Sequence, residues 1–419
     1  MDIIIIGLSI LFFLGHALSW FFIKTKIPDL LILIIIGFIL GPTITGVIQP
    51  DIHLGQAGKV LSIITLIIIL YEGGLHLSFK DLMESSLSAL SLSLLTFFSI
   101  TAITTIVLFP VLPLMSALLV GVGIGSTSSA IVIPMVKPLS INKQTKTVLS
   151  LESAFTDVLT IVIFLGLLEY LTSENSSGGK FFISLSSTPI MSVGIGVLAG
   201  IVWAFLRKKT EISRLPFAGE AGALLTYGIL EFLSLNGAIG VLSLGFTLAN
   251  INLFPTSLKT LLEDKPVSSD ELAILSAVTF LLRTFFFLYL GLLIQIKGVS
   301  SVLWAICLTT LIFVTRYFSI RTVFKSNAFS KLDAITATAM GPRGLACAVL
   351  ATLPLQRGLE QGEWIQNLVF AVIPLSILIT SLFVSLAEKD WFKEKIHTLF
   401  KNYSEEESHT LSSYSDGIS

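Results

Sequence analysis

Long apolar runs alternate with short polar joints from the first residues of the chain to about position 387. A helix that crosses a bilayer needs about twenty mostly apolar residues. Thirteen segments meet that test: 2–22, 27–46, 60–78, 88–109, 114–136, 148–170, 188–206, 218–234, 237–254, 271–294, 300–320, 333–352 and 365–387. Two joints are very short, Pro110–Pro113 and Leu235–Asn236. Gly37, Gly41 and Pro42 predict an early end to the second span. The pattern predicts an all-α polytopic membrane protein of about 13 transmembrane helices. Residues 388–419 turn charged and then Ser-rich, and read as a short, loose cytoplasmic tail.

Composition makes lipid part of the solvent. Of 419 residues, 53% are hydrophobic and 13% charged, against about 25% charged in soluble domains. The mean hydropathy is +0.91. A net charge of −1 leaves no basic surface for nucleic acid. Cys307 and Cys347 lie in apolar stretches without ligand spacing, and read as small buried apolar side chains. The N-terminus lacks a basic leader and a clear cleavage site, so it reads as a retained first helix.

Loop charge orients the spans. One alternating set of loops, from Lys24 and Lys26 to Arg321, Lys325 and Lys331, carries 15 basic residues; the other set carries only Lys59, Lys180, Lys297 and Arg357, which is 4. The bias places the N-terminus outside and the tail in the cytoplasm of a cell-membrane protein. Thirteen spans then divide as six, one and six. Two inverted six-helix repeats, roughly 1–170 and 218–387, flank a linker helix at 188–206, and the whole of 1–387 is one transmembrane unit.

Helix-breaking residues fall at matching places in the two repeats. The fifth span holds Gly121, Gly123 and Gly125 with Ser126, Thr127, Ser128 and Ser129; the twelfth holds Gly341, Pro342, Arg343 and Gly344. Unwound backbone survives at that depth only where protein or a wet cavity satisfies it, and paired broken helices mark transport sites. Helices 5 and 12 are therefore expected to be discontinuous. The bland alternative is that the glycines allow close packing and Pro342 only kinks its helix.

Five ionisable residues lie deep in the spans: Glu72, Glu152, Asp157, Arg283 and Arg343. Each costs roughly 2.5–3.5 kcal/mol at the bilayer centre unless paired or wetted. At 100° per residue Glu152 and Asp157 point about 140° apart, so they do not share one site. Ser153 shares the face of Asp157, and Thr156 lies over Glu152. Arg343 is the natural partner for Glu152, which leaves Asp157 free. A carboxylate withdrawn from water holds either a proton or a cation, and hardly both. Carboxylate, hydroxyl and carbonyl oxygens suit a hard monovalent cation. Glu72 and Arg283 occupy the third span of each repeat. They pair with each other, or Arg283 reaches Asp157. Arg316 lies nearer the cytoplasm and reads as snorkelling.

The sequence LESAFTDVLTIVIF in the sixth span resembles the Glu-Ser-x-x-Asn-Asp signature of the monovalent cation:proton antiporter superfamily. Gly341-Pro342-Arg343-Gly344 resembles its Gly-x-Arg-Gly element, and the resemblance extends over nearly the whole chain. It implies a homodimer with crossing, unwound helices 5 and 12. It also implies Asp157 as the ion- and proton-binding carboxylate, Ser153 as a ligand, and Glu152 as salt-bridge partner to helix 12. Thr156 stands where that branch has Asn. Thr127-Ser128-Ser129 stands where it has Thr-Asp-Pro, and the hydroxyl run is instead similar to the Ser-Ser-Thr-Ala stretch of potassium-efflux proteins.

The candidate ion- and proton-binding set is thus Asp157, Ser153, Thr156, Thr127 and Ser128, with Asp157, Ser153 and Thr127 as direct cation ligands. Glu152, Arg343, Glu72 and Arg283 are structural or gating charges. The expected activity is electroneutral exchange of Na+, or alternatively K+, for H+. No cofactor or nucleotide-binding domain is expected, and the partners are membrane lipids and a second copy. A potassium-efflux channel or symporter is the second class considered. An intramembrane enzyme is the third. It is disfavoured because Ser126–Ser129 face no histidine at matching depth, and because the two acids of span 6 diverge.

Overall fold

The computed structural model describes residues 9–18, 29–48, 55–77, 87–172, 178–209, 217–255, 267–295 and 299–387, short of single positions within them, with a few isolated positions elsewhere. Every regular element among the described residues is helical. In chain order these are α1 (Ser9–Leu18), α2 (Asp29–Leu40), α3 (Gly55–His76), α4 (Leu87–Leu108), α5 (Leu114–Gly123), α6 (Ser129–Val136), α7 (Lys143–Thr172) and α8 (Gly178–Lys209). They continue as α9 (Ala218–Phe232), α10 (Gly237–Ala249), α11 (Ser269–Leu293), α12 (Val299–Val323), α13 (Lys331–Ala339), α14 (Leu345–Gln356) and α15 (Gly362–Ala387). Among the described residues, six stretches are long and apolar enough to cross a membrane: α4, α7, α11, α12, α15 and the Pro189–Lys209 part of α8. Helix is enforced there, because apolar surroundings offer no partner to an open backbone group.

Polar residues mark the helix starts. Ser268 with Glu271 caps α11, and Ser330 with Asp333 caps α13, each as a reciprocal pair. Asn236 caps α10 through the Ile239 N–H at 3.1 Å, so the short Leu235–Asn236 joint is a true helix boundary. α2 stops at Leu40, ahead of Gly41 and Pro42.

The helices sort into two bundles. α2, α3, α8, α9, α10 and α11 pack on one another, with α1 laid on α11 through Gly15 against Thr284. Here backbones meet directly. A Cβ on Gly37 of α2 would strike the Leu288 carbonyl of α11, and one on Gly74 of α3 would strike the Leu242 carbonyl of α10. The second bundle contains α4 to α7 and α12 to α15. Its helices are tied by side-chain hydroxyls and charges. Asn142, in the joint between α6 and α7, donates to both carboxylate oxygens of Asp333, by its N–H at 3.0 Å and its side-chain amide at 2.7 Å.

Two segments of this second bundle leave the helical path: Ile124–Ser128 between α5 and α6, and Met340–Gly344 between α13 and α14. They meet. The Ser128 N–H donates to the Pro342 carbonyl at 2.9 Å, and Gly344 lies so close to Ser128 that a Cβ would overlap its hydroxyl. The glycines and Pro342 therefore open the helices and do more than ease packing.

Two expectations need correction. Cys347 is buried but Cys307 is exposed on α12, because that helix turns one apolar face outward. The tail is not wholly loose: Phe400 and Tyr403 are buried against α12, with Phe400 edge-on to Tyr317 and the Tyr403 hydroxyl donating to the Phe324 carbonyl at 2.8 Å. Aromatic burial holds these two positions despite the charged sequence around them.

Candidate ion-binding site

α7 presents two acids to two surroundings. Glu152 is 1% exposed. Both its oxygens are taken by Arg316 of α12, at 2.6 and 2.8 Å, and the Thr96 hydroxyl of α4 adds a third bond at 3.1 Å. Arg316 also donates from Nε to the Ala337 carbonyl at 2.7 Å, at the end of α13, where open carbonyls favour a cation. Arg316 is thus the partner of Glu152, and Arg343 is not. Nor does Arg316 snorkel: it is 1% exposed, because Glu152 and the α13 carboxyl end satisfy its planar fork inside the bundle.

Arg343 is buried in the second break. Its backbone N–H donates to the Ser376 hydroxyl of α15 at 2.9 Å, and Nη1 donates to the Gly341 carbonyl at 3.2 Å. Its Nε and Nη2 have no hydrogen-bond partner. Glu152 and Asp157 are the carboxylates near enough to act on it electrostatically.

Asp157 faces the start of α6. Its Oδ2 accepts the Ser129 N–H at 3.1 Å and the Ser129 hydroxyl at 2.7 Å. Its Oδ1 is shielded and accepts no hydrogen bond. The open amides at a helix start favour an anion there. The hydroxyl of Ser126 lies near the same carboxylate and touches Cys347 Sγ at 3.5 Å.

The hydroxyl run is divided among several tasks. Thr127 and Thr156 come together: the Thr127 N–H donates to the Thr156 hydroxyl at 3.2 Å, and the two hydroxyls lie 3.3 Å apart. Ser128 serves the crossing with Pro342 and Gly344. Ser153 donates to the Ser150 carbonyl at 2.9 Å in its own helix, so its hydroxyl is engaged away from Asp157. Thr101 and Thr160 donate to the Gly121 and Val122 carbonyls at 3.3 and 3.2 Å, which satisfies backbone at the mouth of the first break.

Glu72 and Arg283 do not pair. Glu72 on α3 accepts from Ser276 of α11 at 2.7 Å and lies 3.9 Å from His76. Arg283 lies 5.9 Å from the Phe280 ring, with a buried, unpartnered Nε. Both belong to the glycine-packed bundle, and Arg283 does not reach Asp157. They sit on neighbouring helices without being aimed at each other.

The sodium/hydrogen exchanger family, transmembrane region, matches residues 8–387. The K(+)/H(+) antiporter NhaP2 of Shewanella baltica is 26% identical over 376 residues, which is 87% of this chain and 63% of that protein. The chain thus spans less than two thirds of that relative's length. The low-affinity Na(+)/H(+) antiporter NhaS1 of Synechocystis is 25% identical over 394 residues, 86% of this chain and 69% of that protein. The solved structure of the sodium proton antiporter MjNhaP1 from Methanocaldococcus jannaschii at pH 8 shares the fold. Its TM-score is 0.70 at 20% identity, covering 93% of this chain and 99% of that one. The family match runs from α1 to the end of α15 and takes in both broken helices, so this integral membrane protein belongs to the sodium/hydrogen exchanger family.

Proposed function

We propose that the protein exchanges a monovalent cation for a proton across the cell membrane, with Asp157 as the group that takes each in turn. One observation carries this reading. Of the two acids on α7, Glu152 is fully engaged, whereas Asp157 keeps a shielded oxygen with no hydrogen-bond partner beside two crossed breaks. The names of the antiporters it resembles agree with the reading.

Exchange is one for one and electroneutral on this reading. Glu152, Arg316, Arg343 and ionised Asp157 sum to zero; a proton or a monovalent cation on Asp157 brings the cluster to +1 in either case. Both loaded states therefore carry the same charge through the membrane. Sodium is the first candidate. Potassium is the second, favoured by the hydroxyl-rich break at 126–129 and by the likeness to the potassium antiporter. Thr127 and Thr156 supply further oxygens near the first break, with Ser128 at the crossing and Ser153 one turn from Asp157.

The wider architecture belongs to the same proposal. It has thirteen crossings, the N-terminus outside, inverted repeats at 1–170 and 218–387 around the linker at 188–206, a cytoplasmic tail, and a homodimer. The matched breaks at 124–128 and 340–344 support the repeat, and the segregation of loop lysines and arginines supports the orientation. The protein acts as a carrier and not as an enzyme.

The test is proton movement in proteoliposomes when sodium, potassium or lithium is added in turn. At least one cation should drive protons the opposite way. Proton movement independent of every cation, or cation current without protons, would contradict exchange.

A further inference from the structure

We infer that Ser129 is the positioning residue of the cation site: it occupies Oδ2 of Asp157 and so presents Oδ1 alone to the cargo. The inference rests on the reading of Asp157 as the exchanging acid, and it singles out a residue that the sequence shows only as one of a run of hydroxyls.

The geometry is specific. Ser129 gives Asp157 two donors from one residue, its N–H at 3.1 Å and its hydroxyl at 2.7 Å, and both reach the same oxygen. Two bonds on Oδ2 fix the tilt of the carboxylate plane. The other oxygen, shielded and without a hydrogen-bond partner, is left with its lone pairs open. A monovalent cation then meets one carboxylate oxygen, and the rest of its shell must come from hydroxyl and carbonyl oxygens. The other hydroxyls of the cluster have partners besides Asp157. Ser153 is bonded to Ser150, Ser126 touches Cys347, and Thr127 is turned to Thr156.

The fold explains why Ser129 can do this. It is the first residue of α6, where an amide has no partner inside the helix. Ser128 before it is extended, with φ −72° and ψ 113°, and its own N–H is held by the Pro342 carbonyl. The crossing of the two breaks therefore aims Ser129 at α7. Because an open first-turn amide and a hydroxyl act together, the two contributions are separable by substitution. Ser129→Ala removes the hydroxyl only. Ser129→Pro removes both donors, yet proline suits the first helical position and an extended preceding residue. Ser129→Thr keeps both.

The experiment measures how the thermal midpoint of the purified full-length protein rises with sodium, and separately with potassium. A ligand stabilises the state it binds in proportion to its saturation. Losing the group that orients a ligating carboxylate costs about 10–100-fold in metal affinity. We expect the half-saturating concentration of the better cation to rise about tenfold in Ser129→Ala and further in Ser129→Pro. Ser129→Thr should recover most of the affinity. The midpoint without cation should fall modestly in Ser129→Ala and Ser129→Pro, where a buried carboxylate loses donors, and stay close to that of the unaltered protein in Ser129→Thr. In proteoliposomes KM should rise with the maximal rate retained.

Unchanged half-saturation in both Ser129→Ala and Ser129→Pro overturns the inference. So does an equal loss in all three variants with a lowered cation-free midpoint, which marks a purely structural role. An unaltered protein that gains no stability from either cation overturns it as well. A protein that binds cation with the predicted Ser129 pattern but moves no protons leaves Ser129 assigned and refutes the exchange reading instead.

Discussion

The two bundles are held together by opposite means. In the bundle of α2, α3 and α8 to α11, glycines bring backbones into contact, as where Gly37 of α2 meets α11 and Gly74 of α3 meets α10. Such contacts have no slack, because backbone atoms cannot change rotamer. In the bundle of α4 to α7 and α12 to α15, contacts run through side chains that can exchange partners: Thr127 with Thr156, Ser129 with Asp157, Arg316 with Glu152. Within that second bundle the contrast repeats on a smaller scale. Glu152 has every oxygen engaged, while Asp157 has one oxygen open. The rigid packing and the saturated ion pair are thus distinct from the acid proposed to exchange. The difference teaches that burial of a charge does not by itself mark a site; the proposed exchange rests on an acid left incompletely satisfied.

The comparison breaks most completely at Asp157. Asp157→Asn keeps the shape and loses the exchangeable charge, so cation-driven proton movement in proteoliposomes should disappear while the yield of folded protein is maintained. Normal transport by this variant would move the site elsewhere. The next largest effect belongs to the saturated pair. Arg316→Ala leaves Glu152 buried without its cation, which should cost about 3–5 kcal/mol and sharply reduce the amount of folded protein recovered. Arg343→Ala should cost clearly less, because its Nε and Nη2 make no bonds to lose. Thermal midpoints of the two variants, measured side by side, check the order.

Smaller effects sharpen the contrast from the rigid side. Gly74→Ala drives a methyl into the α10 backbone and should destabilise by about 1–3 kcal/mol, with the cation KM of surviving protein unchanged. A changed KM would mean that the glycine-packed bundle takes part in binding. Tyr403→Phe removes one hydrogen bond to the Phe324 carbonyl and should cost about 1 kcal/mol without altering transport.

Much of this was legible in the residues alone. Gly121 to Ser129 and Gly341 to Gly344 announced the breaks, since neither run can keep a regular helix at full strength in lipid. Asp157 announced itself as an acid in an apolar run. Arg343 stands out as the partner of Glu152 only as long as the depths of the two residues are left unmatched. Glu152 lies four residues from the inner end of its predicted span at 148, and Arg316 four from its inner end at 320, each about 6 Å deep. Arg343 lies about 15 Å into its span. Matched depth was the available signal for Arg316. Ser129 could not be picked out in the same way. Four adjacent hydroxyl residues look alike until the crossing with Pro342 decides which one opens toward α7. Glu72 and Arg283 show the limit of symmetry arguments, because matching places in the sequence pattern do not make two side chains point at one another. Phe400 and Tyr403 were hidden by their charged neighbours, and only the α12 surface beneath them explains their burial.

If one open oxygen serves both ions, the turnover cycle moves no net charge. Purified protein in liposomes with equal sodium, potassium and proton concentrations on both sides, subjected to an imposed membrane potential, should show no net flux of any of them. Cation uptake driven by the potential alone would mean that more than one charge site takes part, and Asp157 would no longer stand as the sole exchanging group.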